Sequence, residues 1–94
     1  MKVVEEVIDF ENAPEVKDAL LKAVAAGDLT VDLSEVKRAD SAALSALLSA
    51  ARRAESSGKR LVIERVPADL ETLARLYGVE ALLGLSPQKE ADAH

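Results

Sequence analysis

Three residues in the middle of this 94-residue chain have side chains suited to chemistry: Asp32, Asp40 and Ser41. They flank a polar turn between an apolar stretch ending at Leu33 and an alanine-rich stretch opening at Ser41. Two carboxylates near the C-terminal end of a strand can hold a magnesium ion or accept a phosphoryl group. That chemistry asks for a third oxygen ligand and a phosphate-contacting lysine at suitable spacing, and the sequence supplies neither. The plainer reading makes these residues shapers of the loop. Asp32 bonds amides of the turn, Ser34 sits in the turn, and Asp40 caps the helix that follows. Ser41 has two readings. A serine at a helix start can simply cap it. The same position suits a phosphate, because free amides and the positive end of the helix dipole stabilise added negative charge. Asp40 would oppose that charge, so phosphorylation at Ser41 is expected to leave the helix folded and to change a docking surface.

Other reaction chemistries find little support. The sole histidine is His94, the last residue, which argues against a histidine acid, base or triad. The four glycines, Gly27, Gly58, Gly78 and Gly84, stand apart at expected helix ends and form no phosphate-cradling loop. Cysteine is absent, which excludes disulfides and thiolate metal sites. A net charge of −5 argues against a nucleic-acid binder. The chain therefore reads as a binding or switching module, not an enzyme, with no catalytic residue, no metal site and no cofactor expected.

The elements that position the turn follow from pattern. Val3 to Phe10 reads as a strand, and the adjacent Glu5 and Glu6 place charge on both of its faces, as suits a sheet edge. Asn12 opens a helix, with Glu15 completing a capping-box pattern and Pro14 tolerated in the first turn. Val16, Leu20, Ala23 and Val24 make its apolar stripe, and Gly27 ends it. Leu29, Val31 and Leu33 alternate with Thr30, Asp32 and Ser34, the pattern of a strand with one packed face. Strand, helix, strand in this order implies a parallel pair with a right-handed crossover.

The second helix runs from Ser41 to about Ser57. Leu44, Leu47, Leu48 and Ala51 form its core face. Ala43, Ala46, Ala50 and Ala54 make a small-residue face that lets another surface approach closely. Ser45, Ser49, Arg52 and Ser56 form a polar stripe, where the arginine reads either as solvated charge or as a ligand site. Leu61 to Val66 is a third strand, and Pro67 starts a third helix with Leu70, Leu73, Ala74 and Tyr77 on its buried stripe. Tyr77 is equally well read as core or as docking surface. Val79 to Leu85 adds a short turn or helix that packs Leu82 and Leu83, and Ser86 to His94 reads as a frayed polar tail. Of the hydrophobic residues, 49% of the chain, the largest share is alanine, so Leu and Val must build a thin core.

Residues Asp32-Leu33-Ser34, Val36, Asp40-Ser41 and Leu44 resemble the signature of the STAS domain, the sulfate-transporter and anti-sigma-factor-antagonist family. The resemblance implies a small α/β fold, with a mostly parallel sheet and helices mainly on one face, and it places Ser41 at the family's switch position. Ala43 stands where the family usually has glycine, and one clear N-terminal strand stands where it usually has two. A narrower resemblance rests on Asp40 to Leu48 and on Leu73-Ala74-Arg75-Leu76-Tyr77-Gly78-Val79. These segments are similar to the MlaB-type STAS subunits of Mla phospholipid ABC transporters, which serve outer-membrane lipid asymmetry in Gram-negative bacteria. It implies a non-catalytic subunit that binds the cytoplasmic ATPase subunit (MlaF-like) and supports it.

The expectations are then a shortened STAS domain over residues 1–85 and a tail over 86–94. The chain is read as cytoplasmic and as reaching the inner membrane only through the transporter, since no apolar run approaches membrane length and acidic residues interrupt any signal pattern. The docking surface is expected at Ser41, Ser45, Ser49, Arg52 and Tyr77. The alternative is an anti-sigma-factor antagonist, switched at Ser41 by an anti-sigma factor serine kinase. A homodimer through the exposed sheet edge is a further expectation.

Overall fold

Alternating burial along the strands shows how the layers are arranged. Val31, Ile63 and Val66 are buried, whereas Thr30 and Val62 are exposed and Asp32 and Glu64 half-buried, so one face of the sheet is covered and the other is open. The computed structural model describes residues 1–79, 83 and 85–87. Its elements are β1 (Val7–Ile8), α1 (Ala13–Ala25), β2 (Thr30–Asp32), β3 (Arg38–Ala39), α2 (Ser41–Ser56), β4 (Val62–Val66), α3 (Ala68–Leu76) and β5 (Leu85–Pro87). All strand pairs are parallel: β1 lies beside β3, and β4 lies between β2 and β5. In the helical layer α2 is the middle member, packed against α1 on one side and α3 on the other. Leu20, Leu33, Leu47, Ile63, Leu70 and Leu83 are among the fully buried large side chains of the core between helices and strands.

The expected first strand is broken in two. Lys2 bridges to Asp32, and Val7–Ile8 pair with Arg38–Ala39, while Val4 to Glu6 lie outside the named strands. The cause is the neighbouring ribbon, which leaves its extended course between β2 and β3. There Leu33 and Val36 are both buried, and the Val36 amide donates to the Leu33 carbonyl at 3.0 Å. Two core residues three apart cannot both face one side of an alternating strand, so the ribbon turns to bury both and then resumes at β3. From sequence all of this reads as turn, and β3 does not show.

Asn12 precedes α1 but does not cap it as expected. Its backbone is helical (φ −106°, ψ −5°) and its side chain makes no capping bond, whereas a cap residue is normally extended. Asp9 takes over part of that duty, its Oδ1 accepting from the Glu11 amide at 3.0 Å and its carbonyl from the Ala13 amide at 2.8 Å. The Asn12 side chain turns back to the strand instead. Its Nδ2 donates to the Val7 carbonyl at 2.8 Å and its Oδ1 accepts from the Asp9 amide at 2.9 Å. Val7 and Asp9 point to the side of the strand opposite Ile8, whose carbonyl accepts from Asp40. One side-chain amide therefore occupies two backbone groups of the outer edge.

The small-residue face of α2 is buried throughout, and α1 lies against α2, so the surface that approaches closely belongs to the same chain. In β4 the register with β5 shifts between Ile63 and Val66, and Arg65 there has φ +55°, the left-handed conformation that bulges tolerate and side chains resist. Gly78, with φ +68°, closes α3 as expected. Ser86 and Pro87, read in sequence as tail, pair with β4 within β5. Leu82 and residues 88–94 lie outside the described residues. Among the described residues no helix is long and apolar enough to cross a membrane.

Candidate functional site

The turn between β2 and α2 is held by its own carboxylates. Asp32 Oδ1 accepts from the Ser34 amide at 2.9 Å, and its Oδ2 faces Arg65 Nη1 at 3.4 Å. The Ser34 amide lowers the carboxyl's pKa most, with Arg65 and Lys2 adding to the same direction against partial desolvation. Asp32 also ties the backbone together. Its amide donates to the Met1 carbonyl at 2.8 Å, and its carbonyl accepts from Val3 at 3.0 Å. A second carboxylate, Asp28, is held low by the N-terminal ammonium 2.8 Å away and by the Thr30 amide.

Asp40 sits at the other end of the turn. Its backbone is extended (φ −107°, ψ −170°), and Oδ1 accepts from the Ala42 amide at 2.8 Å. Asp40 is thus the N-cap of α2, a contact worth about 1 kcal/mol in helices generally. That corrects the reading of Ser41 as cap. Ser41 is the first helical residue and is exposed. Neither carboxylate joins a cluster of three metal-ligating side chains among the described residues.

Ser41 opens onto a cleft of about 450 Å³ between the start of α2 and α3. Asp40, Asp69, Thr72, Leu73 and Tyr77 share its walls. Tyr77, for which core and surface readings stood open, is 61% exposed, and Leu76 beside it is 74% exposed. The helix ends before its buried stripe reaches Tyr77, which is the C-cap of α3. Asp69 and Thr72 escaped the sequence reading. An acidic residue just after Pro67 reads as a partner of the helix dipole, and nothing local says that it faces Ser41 across a cleft.

The five residues expected to form one docking surface divide between two sides of α2. Ser41 and Tyr77 meet in the α2–α3 cleft. Ser45 lies in a cleft on the α1 side with Phe10 and Pro14, and Ser49 and Arg52 lie further along that side with Lys17 and Arg53. The Ser49 hydroxyl donates to the Ser45 carbonyl at 3.1 Å. Open clefts lined by serines, short carboxylates and an exposed tyrosine suit recognition of another surface.

The fold is similar to the crystal structure of a "putative anti-sigma factor antagonist" from Thermotoga maritima, with a TM-score of 0.72 at 18% identity over 89% of this chain and 75% of that one. At that identity the likeness shows a shared fold. No curated protein matches the chain. The family model described as "Mlab, STAS domain" matches residues 3–84, which takes in β1 through α3 and the turn at Asp32 to Ser41. The chain belongs to the STAS domain family.

Proposed function

We propose that this protein is a non-catalytic STAS subunit that docks on the cytoplasmic ATPase subunit of an Mla-type phospholipid ABC transporter. The observation that carries this reading is the exposed pair Leu76 and Tyr77 at the end of α3, of which Tyr77 lines the Ser41 cleft. Two large side chains exposed at one helix end offer apolar surface that a partner can cover. They fall within the Leu73–Val79 segment that resembles the transporter subunits. In this reading the protein acts in the cytoplasm, next to the inner membrane, and touches neither lipid nor nucleotide itself.

A second reading is favoured by the exposed position of Ser41. With Asp40 serving as cap, the serine is not needed to hold the helix and lies open to a kinase. The protein would then be an anti-sigma-factor antagonist that binds a serine-kinase anti-sigma factor and is released on phosphorylation. Asp40 and Asp69 beside the serine would sharpen the repulsion from an added phosphate.

Co-expression with the transporter ATPase and permease, followed by affinity purification, tests the first reading. The wild-type protein should retain the ATPase, Tyr77→Ser should lose it, and Tyr77→Phe should keep it. Ser41→Asp should weaken the complex while leaving the far-ultraviolet circular dichroism unchanged. Retention of a serine-kinase anti-sigma factor, with no ATPase, would replace the first reading with the second.

A further inference from the structure

A second groove runs along the seam between α1 and α2, on the opposite side of α2 from the Ser41–Tyr77 cleft. It has two halves joined at Lys17, which lines both. The half near the helix starts is apolar, walled by Phe10, Pro14, Ala42 and Ala46. Phe10, the chain's one phenylalanine, is 74% exposed at its rim. The other half is basic, with Lys17, Arg52 and Arg53 around Ser49. No carboxylate lines either half, and none of these three cations forms an ion pair among the described residues. In a chain of net charge −5, an unneutralised group of three cations in one cleft stands out. From Ala42 to Arg53 the groove follows α2 for about 17 Å at 1.5 Å per residue, room for roughly five residues of extended peptide at about 3.3 Å each.

We propose that this groove is a second docking surface, and that it takes an acidic segment of a partner polypeptide in which apolar residues adjoin carboxylates. Charge complementarity selects the segment's acidic half, and the Phe10 wall selects its apolar half. A peptide fits the observations better than an anionic membrane. A bilayer would meet the whole helical face, and with it the exposed Glu11, Glu15, Asp18 and Glu55, which repel it. A peptide enters the groove alone. Free phosphate is disfavoured because the cations are exposed side chains with no buried donor among the groove's lining residues to fix an oxyanion. The inference is independent of which partner occupies the Ser41–Tyr77 cleft.

Selection from a random twelve-residue peptide library on the immobilised full chain tests this without presupposing a sequence. The enriched peptides should combine Asp or Glu with Leu or Phe. A synthetic copy of the best should bind the Arg52→Glu/Arg53→Glu variant at least roughly tenfold more weakly and should weaken with added salt. Lys17→Glu should weaken it too, and Ser41→Asp should not. A thermal melt of each variant, unchanged from wild type, separates lost binding from lost folding. Failure to enrich acidic peptides, equal binding by the double charge reversal, or loss at Ser41→Asp would each overturn the proposal. So would tighter binding of phosphatidylglycerol vesicles or of inorganic phosphate than of the selected peptide.

Discussion

At the scale of single residues, the central turn is shaped by carboxylates whose charge supports the fold. Asp32 is the clearest case, because the Ser34 amide, Arg65 and Lys2 all favour its ionised form. Its carboxyl is held below the ordinary value of about 3.9. The sign follows from linkage: stability from this charge is fully present above the unfolded value and is lost as pH falls through the lower folded one. Asp32→Asn keeps an acceptor for Ser34 and removes the charge together with the oxygen that faces Arg65. Wild type and Asp32→Asn should therefore differ in urea stability by a constant amount between about pH 7 and pH 5, and the gap should close below about pH 4. A gap that persisted into strong acid would show that the carboxylate's shape matters and its charge does not. Much of this was legible in sequence. An Asp at a strand end and an Asp before an alanine-rich run are turn and cap signals. What was not legible was which of two adjacent polar residues takes the cap. Asp40 and Ser41 both qualify by type, and the extended backbone at Asp40 decides between them. Asn12 failed as a cap for the converse reason, since its backbone is already helical.

At the scale of elements, the three helices, β2 and β4 could be placed from periodicity, while β1, β3 and β5 could not be bounded. Each of those strands has two or three residues; β2 is as short, but the alternation of Leu29, Val31 and Leu33 continues past both of its ends and marks it. The small-residue face of α2 was visible in sequence, but not what it receives. With α1 packed there, Ala50 is fully buried and has no room to grow. Ala50→Leu should cost about 1–3 kcal/mol through overpacking. That corresponds to a fall in melting temperature of roughly 4–8 °C per kcal/mol for a domain of this size. Exposed Ser45→Ala on the same helix should stay within about 0.5 kcal/mol of wild type. Equal melting of Ala50→Leu and wild type would mean that the helical layer is slack enough to absorb three added carbons. Such slack would also widen the α1–α2 groove and change the docking geometry argued for it.

At the scale of the whole molecule, the layers leave an open sheet face and an outer edge along the N-terminal ribbon. The sequence reading saw Glu5 and Glu6 as guards of that edge and also saw a route to homodimers there. It reads Asn12 as a helix cap and not as a partner of this edge, because a side chain returning to the preceding strand leaves no periodic trace. In a parallel sheet a neighbouring residue donates one amide and accepts one, to groups two residues apart on the same edge. The Asn12 amide offers that same pair to Val7 and Asp9. It stands in for a single residue of a neighbouring strand, where the described residues supply none. Unlike a strand, it has no second edge to offer onward. On this geometry the amide is expected to act as a chain terminator for sheet growth at this edge. Asn12→Ala, with both groups released, should self-associate with rising concentration in analytical ultracentrifugation and should bind thioflavin T on prolonged incubation, whereas the parent should do neither. If Asn12→Ala stays as dispersed as the parent at millimolar concentration, the two glutamates alone suffice to end the sheet.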